Sequence, residues 1–600
     1  MSGKWRHIQG NFLALLAAAV ALVAPSPVHA QTAPMRQPLG IYYRLTIQPD
    51  TNSNVSNTVT AALTNTAISG ILAVFTWDNL SYTSSNNPLA GTNNWQLLDD
   101  VFDTVAQWNA NHPTNLPKNI QLGINPGFHT PTWVLSNLVS CDAMFKTNAA
   151  GSIVNSNLIN SNQTWLTLVG VDTNKVTTNC GCAMFYETES KIRPQLLPLP
   201  LPWNQFYKNA WADFIRAVAG KYGDNPLLVS ITVAGPTSSS SEMILPNEKN
   251  DPTNYLKWNP LFALEFPSHP EYTNTDAVFI TEWENAIDLF GAAFSNITLV
   301  VTTGSGLPDF NGTNNLPVGN YTVPPGFCPM CADTNNMSTM MDCAAETTIL
   351  AYFVDPQHGG HNAKAVQEDG LRASAVHLHP LGDGDLDSHG IKWLAQATAS
   401  GSSPLPGTSN VVSRVLGGLQ LGDGGSITQN PDTAGCPQIG NNCTNILPEQ
   451  AIYNVMRAYF NGTLIGSNYG LTSSNLPLNY LQIYYEDVLY ANTNLMGTNV
   501  VDGFGNTNFM TAQMLFTTAS TQIAEIAELG LNIQPVGQTV QISWLASVAA
   551  TQLQVNHNLA NTNGWNPDAH TPSLTNSFYQ ISFHPNANAS FFRLVTPLNQ

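Results

Sequence analysis

The sequence predicts a (β/α)8 barrel carrying loop insertions and followed by a small all-β sandwich, and three observations support this. Apolar runs of β type alternate with stretches of helical spacing eight times over about 490 residues, the pattern of a parallel sheet wrapped by helices. The two longest interruptions, about 127–203 and 304–345, both follow strand ends, where a barrel places its catalytic loops. From about Leu531 the texture changes to short alternating strands separated by turns rich in Asn, Pro and Gly.

Taken in order, "LGIYYRLTI" (Leu39–Ile47) reads as the first strand, with a helix near 54–67. "ISGILAVFTW" (Ile68–Trp77) is the second strand, and "NWQLLDDVFDTVAQWNA" its helix. "KNIQLGIN" (Lys118–Asn125) is the third strand, and its helix comes late, at Asn204–Gly223. "LLVSITVAGPTSSSSEMILP" (Leu227–Pro246) holds the fourth strand. It runs apolar, as strands buried on both faces do, then breaks at Gly235-Pro236 into four serines and a single acid, Glu242. Val278–Phe294 reads as its helix and Asn296–Thr303 as the fifth strand. Ala363–Leu371 is the sixth, with "DSHGIKWLAQATA" as its helix, and Val411–Gly422 is the seventh. A helix opening on Pro448 follows. Asn479–Tyr490 is the eighth strand, and "NFMTAQMLFTTASTQIAEIAEL" the last helix.

The first thirty residues have the character of an export signal. Lys4 and Arg6 precede the apolar "FLALLAAAVALVA", and "VHA" ends at Ala30 as a small-residue cleavage site. The apolar core is short of the ~20 residues that a membrane span needs. The expected division is therefore a signal peptide at 1–30, a barrel at 31–530 and a sandwich at 531–600, in a secreted or periplasmic protein. Acidic residues number 39 against 20 basic, a net charge of −19, which argues against nucleic acid or an anionic membrane as partner. Only 10% of residues are charged, so the surface is polar mainly through Asn, Thr and Ser, as suits a neutral polar partner such as a carbohydrate.

The eight cysteines fall into three groups: Cys141, Cys180 and Cys182; Cys328, Cys331 and Cys343; Cys436 and Cys443. In an exported chain they read as disulfides rather than metal ligands. A bridge joining the first two groups is the most economical pairing, and Cys436 with Cys443 closes a local loop. "CPMC" lacks a second CxxC or a spaced His pair for zinc. "GDGDLDSHG" departs from a calcium loop at Ser388 and Leu394, and no cofactor motif is present.

"AVFTWDNL" with "NWQLLDDVF", then "LGINPGFHTPTWVL" and "VAGPTSSSSEM", resembles clan-A glycoside hydrolases of the β-galactosidase-like and cellulase-like kind, over about residues 39–260. The resemblance implies an acid/base carboxyl after the fourth strand, here Glu242, and a nucleophile at the end of the seventh. That second position reads "GGLQLGD", with Gln420 where a glutamate is wanted and Asp423 beyond it. Glu486, in "YYED" of the eighth strand, is the favoured substitute; Glu368 and Asp369 are alternatives. Sugars present hydroxyl edges and apolar C–H faces, so a subsite needs aromatic platforms beside hydrogen-bonding groups. Trp77, His129 and Trp133 follow strands two and three and are expected to shape that subsite, together with Gln420 and Tyr484. The rival expectation is a barrel that binds carbohydrate without cutting it, motivated by Gln420. The run "ISW…LQVNHNLANTNGW…FFRLV" resembles sandwich modules appended to secreted proteins of environmental bacteria.

Overall fold

The computed structural model describes most of residues 35–302 and 345–600. The principal stretches outside the description are 1–34, 49–54, 159–167, 188–194, 263–276, 308–344, 374–414, 461–477 and 584–590. The segment expected to be a signal peptide, the second cysteine group, the acidic loop at 382–390, Asp423 and the helix expected after the sixth strand all lie there or in shorter gaps.

Eight parallel strands close into a barrel: β1 (Gly40–Thr46), β2 (Ile68–Thr76), β3 (Asn119–Asn125), β4 (Leu228–Thr232), β5 (Thr298–Thr302), β6 (Ala363–Leu371), β7 (Val415–Leu421) and β8 (Leu478–Tyr484). Each strand pairs with its neighbours in sequence, and β8 returns to β1 with Tyr42 opposite Gln482. The helices are α1 (Val55–Leu63), α2 (Gln96–Asn111), α3 (Gln205–Tyr222), α4 (Ala277–Ala293), α5 (Pro448–Phe460), α6 (Tyr485–Thr493) and α7 (Ala512–Ile526), with a helical stretch over 348–354 after β5. Among the described residues no helix is long and apolar enough to cross a membrane.

Alternation along the strands sorts side chains between two environments. Tyr43, Ile71, Phe75, Ile120, Leu122, Leu481 and Ile483 point outward and join one large apolar cluster with the helices. Inside the barrel, Tyr42, Val229, Val300, Ala365, Leu416 and Tyr480 form a separate, smaller cluster. One pleat further along β6 and β8 the interior turns polar. Tyr480 Oη donates to Gln367 Oε1 (3.0 Å), Gln367 Nε2 to Gln482 Oε1 (2.9 Å), and Gln482 Nε2 to Gln121 Oε1 (2.7 Å). A buried amide is tolerated only when its polar atoms find partners, and this chain supplies most of them.

At the N-terminal end of the barrel, three buried cations close on backbone carbonyls. Arg36 donates to Gly223 O and Asn225 O just beyond α3, and its Nε to Asn296 O at 3.2 Å. Lys118 Nζ donates to Asn65 O (3.2 Å) and Ile68 O beyond α1. Lys364 Nζ reaches Asp355 O (2.5 Å) and His358 O (2.7 Å), after the helical stretch at 348–354. The last carbonyls of a helix carry partial negative charge and lack intrahelical partners, so a cation there satisfies both needs.

The insertion after β3 folds into a five-stranded sheet (Val139–Thr147, Ile153–Leu158, Leu168–Val176, Cys182–Glu187 and Gln195–Pro200). Its disulfide joins Cys141 to Cys180 within the first cysteine group, so the expected cross-link between the first two groups does not involve these two residues. The two half-cystines sit at the close-packed base of the sheet, with Cα atoms 4.9 Å apart, and spatial nearness there overrides economy of counting. Cys436 and Cys443 pair as expected. The sheet is fastened to the loop after β4 by a buried ion pair, Lys257 Nζ to Asp142 Oδ1 at 2.9 Å, and by Phe185 stacked on Trp258 at 4.6 Å.

The eighth strand is shorter than expected: it ends at Tyr484, and residues 485–493 are helical. Asp487, fully buried, explains the turn. Its carboxylate accepts from Ser426 Oγ (2.7 Å), Thr428 N (2.8 Å), Thr428 Oγ1 (2.8 Å) and Ile427 N (3.2 Å), which binds the first turn of α6 to the loop after β7.

Near the C-terminus, Asn532–Val536, Thr539–Leu545, Phe578–Phe583 and Ser573–Thr575 form one antiparallel sheet. Gln552–Asn556, Phe591–Val595 and Asn566–Pro567 form another. Ile542 and Ile581 of the first share a small buried cluster with Leu553 of the second.

Candidate active site

Because all eight strands run parallel, the residues that follow them gather at one end. After β2 the chain makes a single helical turn, Trp77–Leu80. Trp77 opens that turn and packs outward into the helix layer. It is fully buried, edge-on to Trp211 at 5.0 Å and tilted against Tyr207 and Phe214 of α3. A ring with no exposed surface cannot stack on a sugar, so Trp77 is a packing residue, contrary to the sequence expectation. Thr76 ends the strand, and Asp78 is the second residue of the helical turn. Thr76 lies opposite Asn125 of β3, and Oδ1 of Asp78 is buried with no hydrogen-bond partner among the described residues.

After β3, Gly127–His129 form one tight turn. Gly127 has φ +68°, and a Cβ there would lie 2.0 Å from Ser238 O, so the position requires glycine. The close approach lets Phe128 N donate to Ser238 O at 2.6 Å, tying the β3 loop to the β4 loop. His129 is half-buried beside Asp78 and Glu187, the latter ending an insertion strand. Burial holds its imidazole below the ordinary histidine range, with the two carboxylates pulling the other way. Near neutral pH the ring is uncharged and offers one donor and one acceptor nitrogen. Trp133 is half-buried: its Nε1 donates to Ser81 Oγ at 3.1 Å and its indole presses on Gly91, so the hairpin Ser81–Ser84/Asn87–Asn93 covers one side of it.

The β4 loop is held from both sides. Ser238 N donates to Ile244 O (2.8 Å), and Met243 N donates to Thr302 O at the end of β5 (3.3 Å). Glu242 lies between these ties and is half-buried. Its amide donates to Ser240 Oγ at 3.2 Å, so part of the serine run shapes the turn that presents the acid.

Across the rim, Gln420 of β7 is buried, and its Nε2 donates to Tyr484 Oη at 3.2 Å. Arg44 of β1 donates to the same hydroxyl at 3.2 Å and lies 5.6 Å from the Tyr484 ring centre. These three side chains form one polar cluster where β7, β8 and β1 meet. Glu486 is exposed in the first turn of α6, and the reason for choosing it, its place at the end of an uninterrupted strand, does not hold. The side chains of Glu368 and Asp369 lie outside the described residues.

The sequence expectation therefore brings His129, Trp133 and Glu242 to adjoining loops, sends Trp77 into the helix layer, and sets Gln420 and Tyr484 together. It missed Asp78, Glu187 and Arg44.

The strand order and parallel pairing define the fold as a (β/α)8 barrel. No protein-family model and no curated protein matches the chain. Among solved structures, it is similar to the catalytic domain of a β-amylase from Paenibacillus polymyxa, with 10% identity over 80% of this chain and 99% of that one, and a TM-score of 0.36. It is similar also to an endo-glycoceramidase II from Rhodococcus sp., with 11% identity over 92% and 100% of the two chains, and a TM-score of 0.32. A third is an endo-β-1,4-mannanase from Thermotoga petrophila, with 9% identity over 92% of each chain and a TM-score of 0.33.

Proposed function

We propose that the protein is an exported glycoside hydrolase whose general acid is Glu242. The observation that carries this is the setting of that residue. A single half-buried carboxyl follows β4, fixed by backbone hydrogen bonds to the ends of β3 and β5, on the face where barrels of this type do chemistry. His129 and Trp133 on the adjoining loop supply a hydrogen-bonding ring and an aromatic surface, the pair of features a sugar requires. The low charge density and net charge of −19 fit a neutral carbohydrate and disfavour nucleic acid. The Cys141–Cys180 and Cys436–Cys443 disulfides fit an oxidising compartment. Residues 531–600 are taken as a separate sandwich domain.

A panel of chromogenic glycosides and polysaccharides tests the proposal. We expect turnover of at least one substrate, and a loss of about 100- to 10,000-fold in Glu242→Gln. Turnover that survives that substitution unchanged removes the assignment. One observation favours a second reading: the β7 rim carries the amide of Gln420, buried and bonded to Tyr484, where a catalytic carboxylate is usual. Carbohydrate affinity with no turnover of any substrate would establish a binding protein instead.

A further inference from the structure

We propose that Asp78 is the second catalytic carboxylate, the general base that activates water opposite Glu242 in an inverting displacement. This rests on the glycosidase reading above and supplies the partner that it leaves open. Among the described carboxylates near the strand ends, the others are poorly placed. Asp487 is committed to four hydrogen bonds that hold α6 to the β7 loop. Glu486 is exposed, and Glu187 belongs to the insertion sheet rather than to the barrel rim.

Asp78 differs in three respects. It stands in the helical turn that follows β2, two residues beyond the strand's C-terminal end. Its Oδ1 is shielded from bulk water yet receives no hydrogen bond among the described residues. An acceptor left so is disfavoured by about 1–3 kcal/mol, a cost removed when a bound water or hydroxyl donates to it. Third, it lies within electrostatic reach of His129, whose turn is bonded through Phe128 to the loop that presents Glu242.

The spacing fits this chemistry. Neighbouring strands are ~4.8 Å apart, so β2 lies ~10–12 Å around the rim from the β4–β5 boundary where Glu242 is held. Carboxyls reaching toward each other across that gap suit the ~6.5–9.5 Å of an inverting enzyme, not the ~5–5.5 Å of a retaining one. In the step itself, a water proton passes to the Asp78 carboxylate as the water oxygen bonds to the anomeric carbon. The glycosidic C–O bond breaks, and the leaving oxygen takes the Glu242 proton. His129 is a positioning residue that orients Asp78 and the water.

The test uses the full-length protein and a substrate found in the glycoside panel. Proton NMR of the first product anomer is expected to show inverted configuration. Asp78→Asn is expected to lose about 100- to 10,000-fold in kcat, with unchanged melting temperature and sugar affinity, and with the acidic limb of the pH–rate profile altered. Retained configuration in the wild-type product overturns the proposal whether or not Asp78→Asn folds. So does near-normal turnover by Asp78→Asn when Glu242→Gln is inactive, and in that case the glycosidase reading survives. Full turnover by both variants, or none by the wild type on any substrate, removes the glycosidase reading as well.

Discussion

The two ends of the barrel differ in how they treat buried charge. At the N-terminal end, Arg36, Lys118 and Lys364 each sink into the protein and each is bonded to two or more backbone carbonyls. At the C-terminal end, Asp78 Oδ1 and the hydroxyl of Thr237 are buried with no hydrogen-bond partner among the described residues. The first end satisfies its buried cations within the chain, although Asn119 Oδ1 at the start of β3 is also buried without a partner among the described residues. The other keeps acceptors and donors that a ligand or water can complete, and it lies beside a histidine whose charge burial suppresses. On the proposed function the contrast separates residues kept for stability from residues kept for chemistry, and it can be attacked at either end.

The largest expected effect comes from breaking the fastening of the mouth. Asp142→Ala leaves Lys257 buried without its carboxylate, and a loss of about 3–5 kcal/mol in unfolding free energy should appear in urea denaturation. A loss below 1 kcal/mol would mean that the ion pair does not anchor the insertion. Next is Gly127→Ala. It forces an L-residue into φ +68° and drives its Cβ against Ser238 O, at a cost of about 1–3 kcal/mol. Because the β3 and β4 loops separate, kcat/KM is expected to fall further than stability does. Equal losses would show that the loop contact serves folding alone.

At the other end, Lys118→Met removes the ammonium donor from the carbonyls of Asn65 and Ile68, for an expected loss of about 1–2 kcal/mol with kcat/KM unchanged. A kinetic defect in a variant that still folds would erase the distinction between the two ends.

The smallest effect is one of pH. Burial lowers the Lys118 and Lys364 ammonium groups to about 8, against 10.5 for a free lysine. Between those values the unfolded chain binds more protons than the folded one, so these groups make stability rise with pH from about 8 to 10.5. Buried tyrosines such as Tyr42 and Tyr207, whose hydroxyls burial raises, work the opposite way above pH 10. Melting temperatures at pH 7.5 and 9.5 should therefore differ less in Lys118→Met than in the wild type. An identical difference would show that Lys118 carries no linkage.

Much of the barrel was legible because its strands are short apolar runs bounded by turn residues, and β6 was delimited at Ala363–Leu371 to the residue. The end of β8 was not legible. "LQIYYEDVLY" contains no Gly or Pro to mark a break, and the turn into α6 is fixed by Asp487 reaching a loop about sixty residues away. A bond at that separation leaves no trace in a local pattern. Glu486 was chosen on the assumption that the strand continued. Trp77 was misjudged for a simpler reason, since proximity to a strand end says nothing of the face on which a side chain emerges. The lumen glutamines were visible in principle as one Gln in the middle of each of three strands, Gln121, Gln367 and Gln482. What could not be seen was that they meet one another.

The Cys141–Cys180 bond bears on how this protein can be made. It closes 39 residues of the sheet that walls the mouth, while the barrel strands themselves contain no cysteine. Restricting a loop of that length in the unfolded chain is worth about 3–4 kcal/mol. Material produced in a reducing cytosol would assemble the cylinder with its wall unfastened, passing a test for secondary structure while failing one for activity. Periplasmic expression or oxidative refolding is therefore the right source for every assay above.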